Sequence, residues 1–409
     1  MKLEQYLLDK KEEISEAEVI PRDYKVRLSK EYVNVLVGPR RAGKSFLLFD
    51  IIKNKMKIPE EDYVYLNFED PEISVERSIL KECINAHISI YGKKPSYIFL
   101  DEIQFLSNWE RQLSSLHLGK RYKIVVTGSN SRVTSKEIAT SMRGRSLSHL
   151  ILPLSFPEFL RFRYREKLDE FMSSYTEAKM KRRVKEFMEI GGFPQVVLDP
   201  KSKSQFYRDY RNVVVYRDIV ERYNIRDLKL LMYLMSTIES SVGRPFSVHK
   251  VFNEIKSMGI KVSKKTVYNY YAYIMNSMFF FELKKYYPSM REREKALPKV
   301  YLCDHGFLED DGKRFENMVF LELARQLNME DMFYLSSPAS ELDVYIPKGM
   351  IGIQITLNPK SAVDRELKGF SIKKLRRKYI ISLEKFESMD SSIRSLSFLD
   401  LVSHRGKYF

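Results

Sequence analysis

VNVLVGPRRAGKSFLL, residues 33–48, is the stretch from which the rest of the chain is read. Val33, Val35, Leu36 and Val37 form a short apolar, β-branched run, which predicts a buried strand. The run breaks at Gly38-Pro39, and an apolar helical pattern opens at Phe46, Leu47 and Leu48. Between them lies Gly38-x-x-x-x-Gly43-Lys44-Ser45, a phosphate-loop pattern in its strand–loop–helix setting. Glycines let backbone N–H groups converge on phosphate oxygens without a Cβ in the way, and the new helix turns its positive end towards the anion. Gly38, Pro39, Arg40, Arg41, Ala42, Gly43, Lys44, Ser45 and Phe46 are the candidate nucleotide contacts. Among them Lys44 can reach the β- and γ-phosphates as a mobile point charge, and the Ser45 hydroxyl can ligate Mg²⁺. The stretch predicts binding of a nucleoside triphosphate.

Two further runs extend this reading. Asp62–Phe68, DYVYLNF, alternates like a strand, and Tyr97-Ile98-Phe99-Leu100 is an apolar strand ending in Asp101 and Glu102, the Walker B pattern. Asp101 would hold Mg²⁺ through water, and Glu102 would act as general base on the attacking water. A fourth strand is expected at Tyr122–Val126, followed by Thr127-Gly128-Ser129-Asn130. Thr127 or Ser129 would orient the lytic water, and residue types alone do not choose between them. Asn67, ending the second strand, is a further candidate to restrain Glu102.

The 409 residues exceed one ordinary domain, so two or three are expected. A hydrophobic share of 44% and a charged share of 30% describe a soluble globular protein. The formal charge of +16 points to an anionic partner, nucleic acid before an acidic membrane surface. Cys83 and Cys303 stand too far apart for a metal motif, and a reducing cytoplasm is the expected compartment. The first residues, MKLEQYLLDKKEEISE, read as a charged amphipathic leader, and no apolar run approaches the ~20 residues of a membrane helix. The six histidines lack zinc-ligand spacing.

GPRRAGKS, FLDEIQ, VVTGSNS and MRGRSLSHLILPLSFPEFL, in this order, resemble a group of prokaryotic ATPases of the AAA+ superfamily. The resemblance covers most of the chain, is specific over residues 33–160, and implies an α/β ATP-binding core with a parallel central sheet. It also implies ATP and Mg²⁺ as cofactors and a water-orienting residue at Thr127 or Ser129. Arg143 and Arg145 match the family's basic pair; one of them would act on the γ-phosphate, in cis or as an arginine finger requiring self-association. Ile151–Glu158 would close the core as a strand or turn. Gly191-Gly192-Phe193-Pro194 would pack a small helical lid beside the nucleotide.

The second half carries another plan. Helical patterns at Leu228–Ser240, Ser247–Ser257 and Ser263–Asn276 precede an alternating run, Phe279–Tyr287, an order that looks like a winged helix-turn-helix. Lys264, Lys265 and Tyr268 would lead into a DNA groove, with Lys261 and the wing residues Lys284 and Lys285 on flanking phosphates. Residues 286–298 read as a linker. Beyond them a strand, a helix bearing Glu316 and three strand-like runs resemble the restriction-endonuclease-like fold, with Asp343 as first acid. Gln354 replaces the second acid and Thr356 the lysine, with Lys360 nearby in a loop, which predicts an inactive site. Two basic runs, Lys179–Lys185 and a helix at Lys368–Lys378, could face solvent or phosphates.

The fold expected is therefore α/β: an AAA+-like P-loop core with a parallel sheet (1–158), a helical lid (159–226), a winged helix (227–290) and a small nuclease-like α/β domain (291–409). The function expected is a cytoplasmic, Mg-dependent ATPase coupled to DNA. A signalling switch acting through protein partners and an ATP-regulated nuclease are the alternatives.

Overall fold

The phosphate-loop strand, β1 (Val33–Val37), lies inside a sheet and is buried along its whole length. The computed structural model describes residues 3–73, 78–129, 142, 144–168, 173–358, 367–386 and 390–409. The chain divides into two compact units, residues 1–152 and 153–409.

The first unit opens with α1 (Leu3–Glu16), which buries Tyr6, Leu7, Lys11 and Ile14 and is part of the folded body. After β1 come α2 (Lys44–Asp50), continued by a wider turn over Ile51–Lys55, β2 (Tyr63–Asn67), α3 (Ile79–Tyr91), β3 (Tyr97–Asp101), α4 (Trp109–Leu118), β4 (Lys123–Gly128) and β5 (Ser146–Leu150). The strands form one parallel sheet in the order β2-β3-β4-β1-β5. Parallel strands covered by helices on both faces are apolar throughout, and Leu36, Phe99, Val125, Leu47 and Leu48 form the core. This is the α/β fold of P-loop ATPases.

The edge strand corrects one expectation. SLSHL, residues 146–150, pairs with β1 from Val33↔Ser146 to Val37↔Leu150, whereas Ile151–Glu158 contains no strand. Ser155 instead starts a helix, α5 (Phe156–Tyr164), through a capping box with Glu158 and a proline in the first turn. SLSHL was hard to read because an edge strand, half exposed here, lacks a continuous apolar run.

The second unit begins with α5, followed by α6 (Ser174–Ile190), α7 (Pro194–Leu198), α8 (Lys203–Val213), α9 (Leu228–Ser240), α10 (Val248–Ser257) and α11 (Lys264–Asn276). β6 (Phe280–Leu283) and β7 (Lys299–Leu302) pair antiparallel, with α12 (Met290–Lys295) in the connection. Residues 284–298 are thus the turn of a hairpin rather than a free linker. Next come α13 (Asp311–Gln326), β8 (Phe333–Ser336), β9 (Glu341–Ile346), β10 (Ile351–Thr356), β11 (Arg377–Ser382), β12 (Ile393–Ser397) and α14 (Phe398–Ser403). These strands form a mixed sheet, β12-β11-β10-β9-β8, parallel across β10, β11 and β12 and antiparallel at β8 and β9.

The basic run at 368–378 is not the expected helix. Within the run only Lys368 and Gly369 are helical; a turn follows, and Arg377 begins β11. Lys373 lies over the rings of Tyr286 and Tyr345, 4.3 and 5.3 Å from their centroids. The GGFP element is held within its own unit: Asp304 accepts from Gly192 N at 2.7 Å and Tyr207 Oη at 2.7 Å. Gly191 has φ +91°, and a Cβ there would fall 1.9 Å from the Tyr207 hydroxyl.

Candidate nucleotide and catalytic site

Gly43 makes the left-handed turn (φ 90°) that releases β1 into α2, and the loop is braced from outside. Arg22, buried, donates from Nη1 to Ala42 O at 2.7 Å and from Nη2 to Leu152 O at 2.9 Å, while its backbone N–H reaches Asp50 Oδ2 at 3.1 Å. Nothing in the polar connector around Arg22 signalled that role. Gly38 is fixed sterically, since a Cβ would lie 1.9 Å from Ile151 O. Lys44 is 3% exposed and donates to Gly38 O (3.2 Å) and Pro39 O (3.0 Å), with Glu102 Oε1 at 3.5 Å. Arg40 pairs with Glu69 at 3.1 Å, and Arg41 and Phe46 are exposed.

At the end of β3 the acidic pair meets β4. Asp101 is fully buried and accepts from Tyr65 Oη at 2.8 Å, from Thr127 Oγ1 and from Ser45. Burial and the neighbouring Glu102 charge push the Asp101 carboxyl up, against the hydrogen bonds that favour its ionised form. Glu102 follows in a left-handed conformation (φ 50°, ψ 50°), an unusual backbone for a non-glycine residue. Thr127 Oγ1 accepts from Glu102 N at 2.9 Å, so one threonine ties both acids to β4. Burial raises the Glu102 carboxyl, but the charge of Lys44 and hydrogen bonds from Gln104 and Ser129 outweigh it and hold the group below its usual range.

Both candidates at the fourth strand end therefore reach the site, on different acids: Thr127 holds Asp101, and Ser129 joins Gln104 (3.1 Å) around Glu102. Asn67 does something else, its Oδ1 accepting from Glu69 N at 3.0 Å. Gln104 and Tyr65 were not foreseen; Gln104 follows Glu102 by two residues, which was the available signal. Arg143 lies outside the described residues. Arg145 precedes β5, its carbonyl accepting from Val33 N at 3.0 Å, whereas the phosphate loop follows Val37. Parallel pairing over this strand puts the two ends about 13 Å apart, so the geometry does not support a cis contact from Arg145 to the γ-phosphate.

Residues 30–160 match the family model described as an AAA domain. The chain is 33% identical over 381 residues to the uncharacterized protein MJ1544 of Methanocaldococcus jannaschii, covering 90% of this chain and 84% of that one. It belongs to that protein's family. An uncharacterized protein of Haemophilus influenzae is 29% identical over 323 residues, covering 75% of this chain and 78% of its own. Among solved structures, the Aeropyrum pernix ORC1 protein in complex with DNA aligns at 14% identity with a TM-score of 0.32, over 80% of this chain and 93% of that one. Residues 181–310 match a domain of unknown function, DUF8612. The AAA-domain chain is an ATP-hydrolysing P-loop enzyme, and no helix among its described residues is long and apolar enough to cross a membrane.

In the second unit of this family member, Ser263 caps α11, accepting from Thr266 N at 3.0 Å, and Lys261, Lys264, Lys265 and Tyr268 are exposed around that helix start. The two wing lysines are otherwise engaged. Lys284 pairs with Glu294 at 2.5 Å, and its carbonyl accepts from Tyr334 N at 3.0 Å; Lys285 bridges to the same strand and lies over the Tyr287 ring.

Asp343 on β9 and Glu316 on α13 converge, as the nuclease-like reading expects, but on a lysine. Lys299 of β7 is 1% exposed, with Nζ 2.7 Å from Glu341 Oε1, 3.0 Å from Asp343 Oδ1 and 3.8 Å from Glu316 Oε1. Burial works against its charge, and Tyr301, Asp343, Glu316 and Glu341 outweigh it, raising the ammonium well above its ordinary value. Gln354 Oε1 accepts from Asp343 N at 2.8 Å and its Nε2 donates to Glu341 O at 3.1 Å. Lys360 lies outside the described residues.

Proposed function

We propose that this chain is a Mg-dependent ATPase whose ATP cycle governs a grip on DNA. The observation that carries the catalytic part is the junction of Ser45, Asp101 and Thr127 beside a Glu102 that faces Lys44. A hydroxyl and a carboxylate in hydrogen-bond contact are hard oxygen donors, the set a phosphate-bound Mg²⁺ takes, so Ser45 and Asp101 fit that ion. When bound there, Mg²⁺ supplies charge neutralisation at the β- and γ-phosphate oxygens.

The chain's own residues do the rest. Lys44 exchanges the Gly38 and Pro39 carbonyls for phosphate oxygens, and loop N–H groups bind the remainder. As Lys44 leaves Glu102, the carboxylate loses its nearest positive neighbour and becomes the stronger base. Glu102, held by Gln104 and Ser129, takes a proton from water as that water attacks the γ-phosphorus and the bond to the β-bridging oxygen breaks. Thr127 keeps the two acids in register.

For the second unit we read a winged-helix-like module, expected at residues 227–290 and extended here to residue 302 because β7 pairs with β6, and the rest of the expected 291–409 region as a nuclease-like domain without nuclease activity. The order α9-α10-α11-hairpin and the exposed Lys261, Lys264, Lys265 and Tyr268 support DNA as the partner, and the +16 charge favours it. The expected helical lid (159–226) and cytoplasmic setting belong to the same proposal. The pairing of Lys284 with Glu294 favours a second reading, in which the module recruits a protein.

The test is ATP hydrolysis with and without duplex, single-stranded and branched DNA, with Lys44→Ala as blank. Stimulation by one DNA form, with affinity falling steeply as salt rises, is expected. Turnover indifferent to every DNA would replace this reading with the protein-partner switch.

A further inference from the structure

We infer that Lys299 stands in for a divalent cation at the acidic centre of the second unit, making that centre a fixed internal lock that joins the β6–β7 hairpin to the mixed sheet. The inference uses the nuclease-like reading only to say which ion the acids would otherwise hold; the contacts themselves are independent of it.

Three carboxylates converge on one point from two elements. Glu341 and Asp343 are two residues apart on β9 and so share a face, and Glu316 comes from α13. Such a set would suit a hard divalent ion at ~2.0–2.6 Å from its oxygens. That point is taken by an ammonium, whose oxygens lie at 2.7, 3.0 and 3.8 Å. An ion bound to the same oxygens would share them with the ammonium at close range and with like charge. Lys299 is poorly placed to make way: it lies on a paired strand, opposite Leu283, and is 1% exposed.

The surrounding groups are also arranged for a lysine. Asp343 Oδ2 accepts from Ile355 N at 2.9 Å, leaving Oδ1 to the ammonium. Tyr301 Oη donates to Glu316 Oε1 at 2.9 Å, and the Tyr334 ring lies 5.7 Å from the Lys299 nitrogen. Gln354, where the second acid would stand, has both amide ends on β9 backbone and holds the register of Glu341 and Asp343. Three carboxylates this close together and partly withdrawn from water repel one another and destabilise a fold unless a counter-ion stands among them. Lys299 supplies that counter-ion covalently.

The experiment uses the full-length, nucleotide-free chain with Asp101→Asn, which removes the first unit's cation ligand, and Mn²⁺ as probe. With Lys299 present, paramagnetic resonance should show no Mn²⁺ bound through Asp343, and EDTA should leave the unfolding temperature unchanged. Lys299→Met should unfold at lower temperature in EDTA, bind Mn²⁺ and recover stability with it; adding Asp343→Asn should abolish that binding. If Lys299→Met does not fold, Lys299→Met with Glu316→Gln, Glu341→Gln and Asp343→Asn should fold again, because the neutral set needs no counter-ion. A compensated variant that stays unfolded, or a Lys299→Met chain as stable as the parent and indifferent to Mn²⁺, overturns the inference. Mn²⁺-dependent DNA cleavage by the parent, lost with Asp343→Asn, would uphold the ATP-regulated nuclease alternative and overturn the role of Lys299.

Discussion

Each unit buries a lysine against carboxylates, and the two arrangements have opposite properties. Lys44 meets one carboxylate, at 3.5 Å, and two carbonyls of its own loop. Those partners are replaceable: a triphosphate offers the ammonium more negative charge than they do, so the lysine can exchange them. Lys299 meets three carboxylates, on a strand rather than a loop. No incoming anion improves on that, and an incoming cation would be repelled. Lys11 gives the limiting case, donating to Glu60 O at 2.6 Å and lying over the Tyr91 ring without a carboxylate in contact. Burial then prevails, and the Lys11 ammonium falls to about 8. The number of carboxylates around a buried lysine, and the backbone that carries it, separate a lysine that works from one that locks.

The largest effect should come from Lys44→Ala, which removes the exchangeable cation: phosphate release at saturating ATP should fall by about 10²-fold or more. Turnover near the parent rate would break the contrast with Lys299. Glu102→Gln should lower kcat by roughly 10²–10⁴-fold while nucleotide affinity, read by a fluorescent ATP analogue, stays close to the parent's. Equal loss of affinity would mean that Glu102 mainly positions Lys44.

Thr127→Val should destabilise the first unit by about 1–3 kcal/mol, because Asp101 and the Glu102 N–H lose one shared partner. Ser129→Ala should cost less in thermal unfolding, since Gln104 also holds Glu102; the reverse order would exchange their roles. The smallest effect concerns Lys11. Its folded-state value lies below the unfolded 10.5, so between about pH 8 and 10.5 the unfolded chain binds more protons and stability rises with pH. Lys11→Met should remove that rise in denaturant titrations of the first unit, and a slope unchanged by the substitution would refute the account.

The resemblance to prokaryotic AAA+ ATPases anticipated the core and the order of its motifs, and the parallel sheet and AAA-domain match agree with it. The edge strand at residues 146–150 was not foreseen because SLSHL lacks apolar continuity. The basic run at 368–378 misled because charge density says nothing about where a chain turns. Gln104 was visible in FLDEIQ, but its function required the strand end of β4 to be in place.

What the sequence determined by itself is the phosphate loop and the acidic strand end. Strand, glycine turn, lysine and helix start are neighbours in the chain, so local backbone preference is enough to specify them. What only the tertiary structure decided is which charge meets which. Arg22 reaches Ala42 across 20 positions, Thr127 reaches Asp101 across 26, and Lys299 reaches Asp343 across 44. Such contacts depend on strand order and register, and a side chain's net interaction is fixed only once burial has removed the water that would otherwise satisfy it.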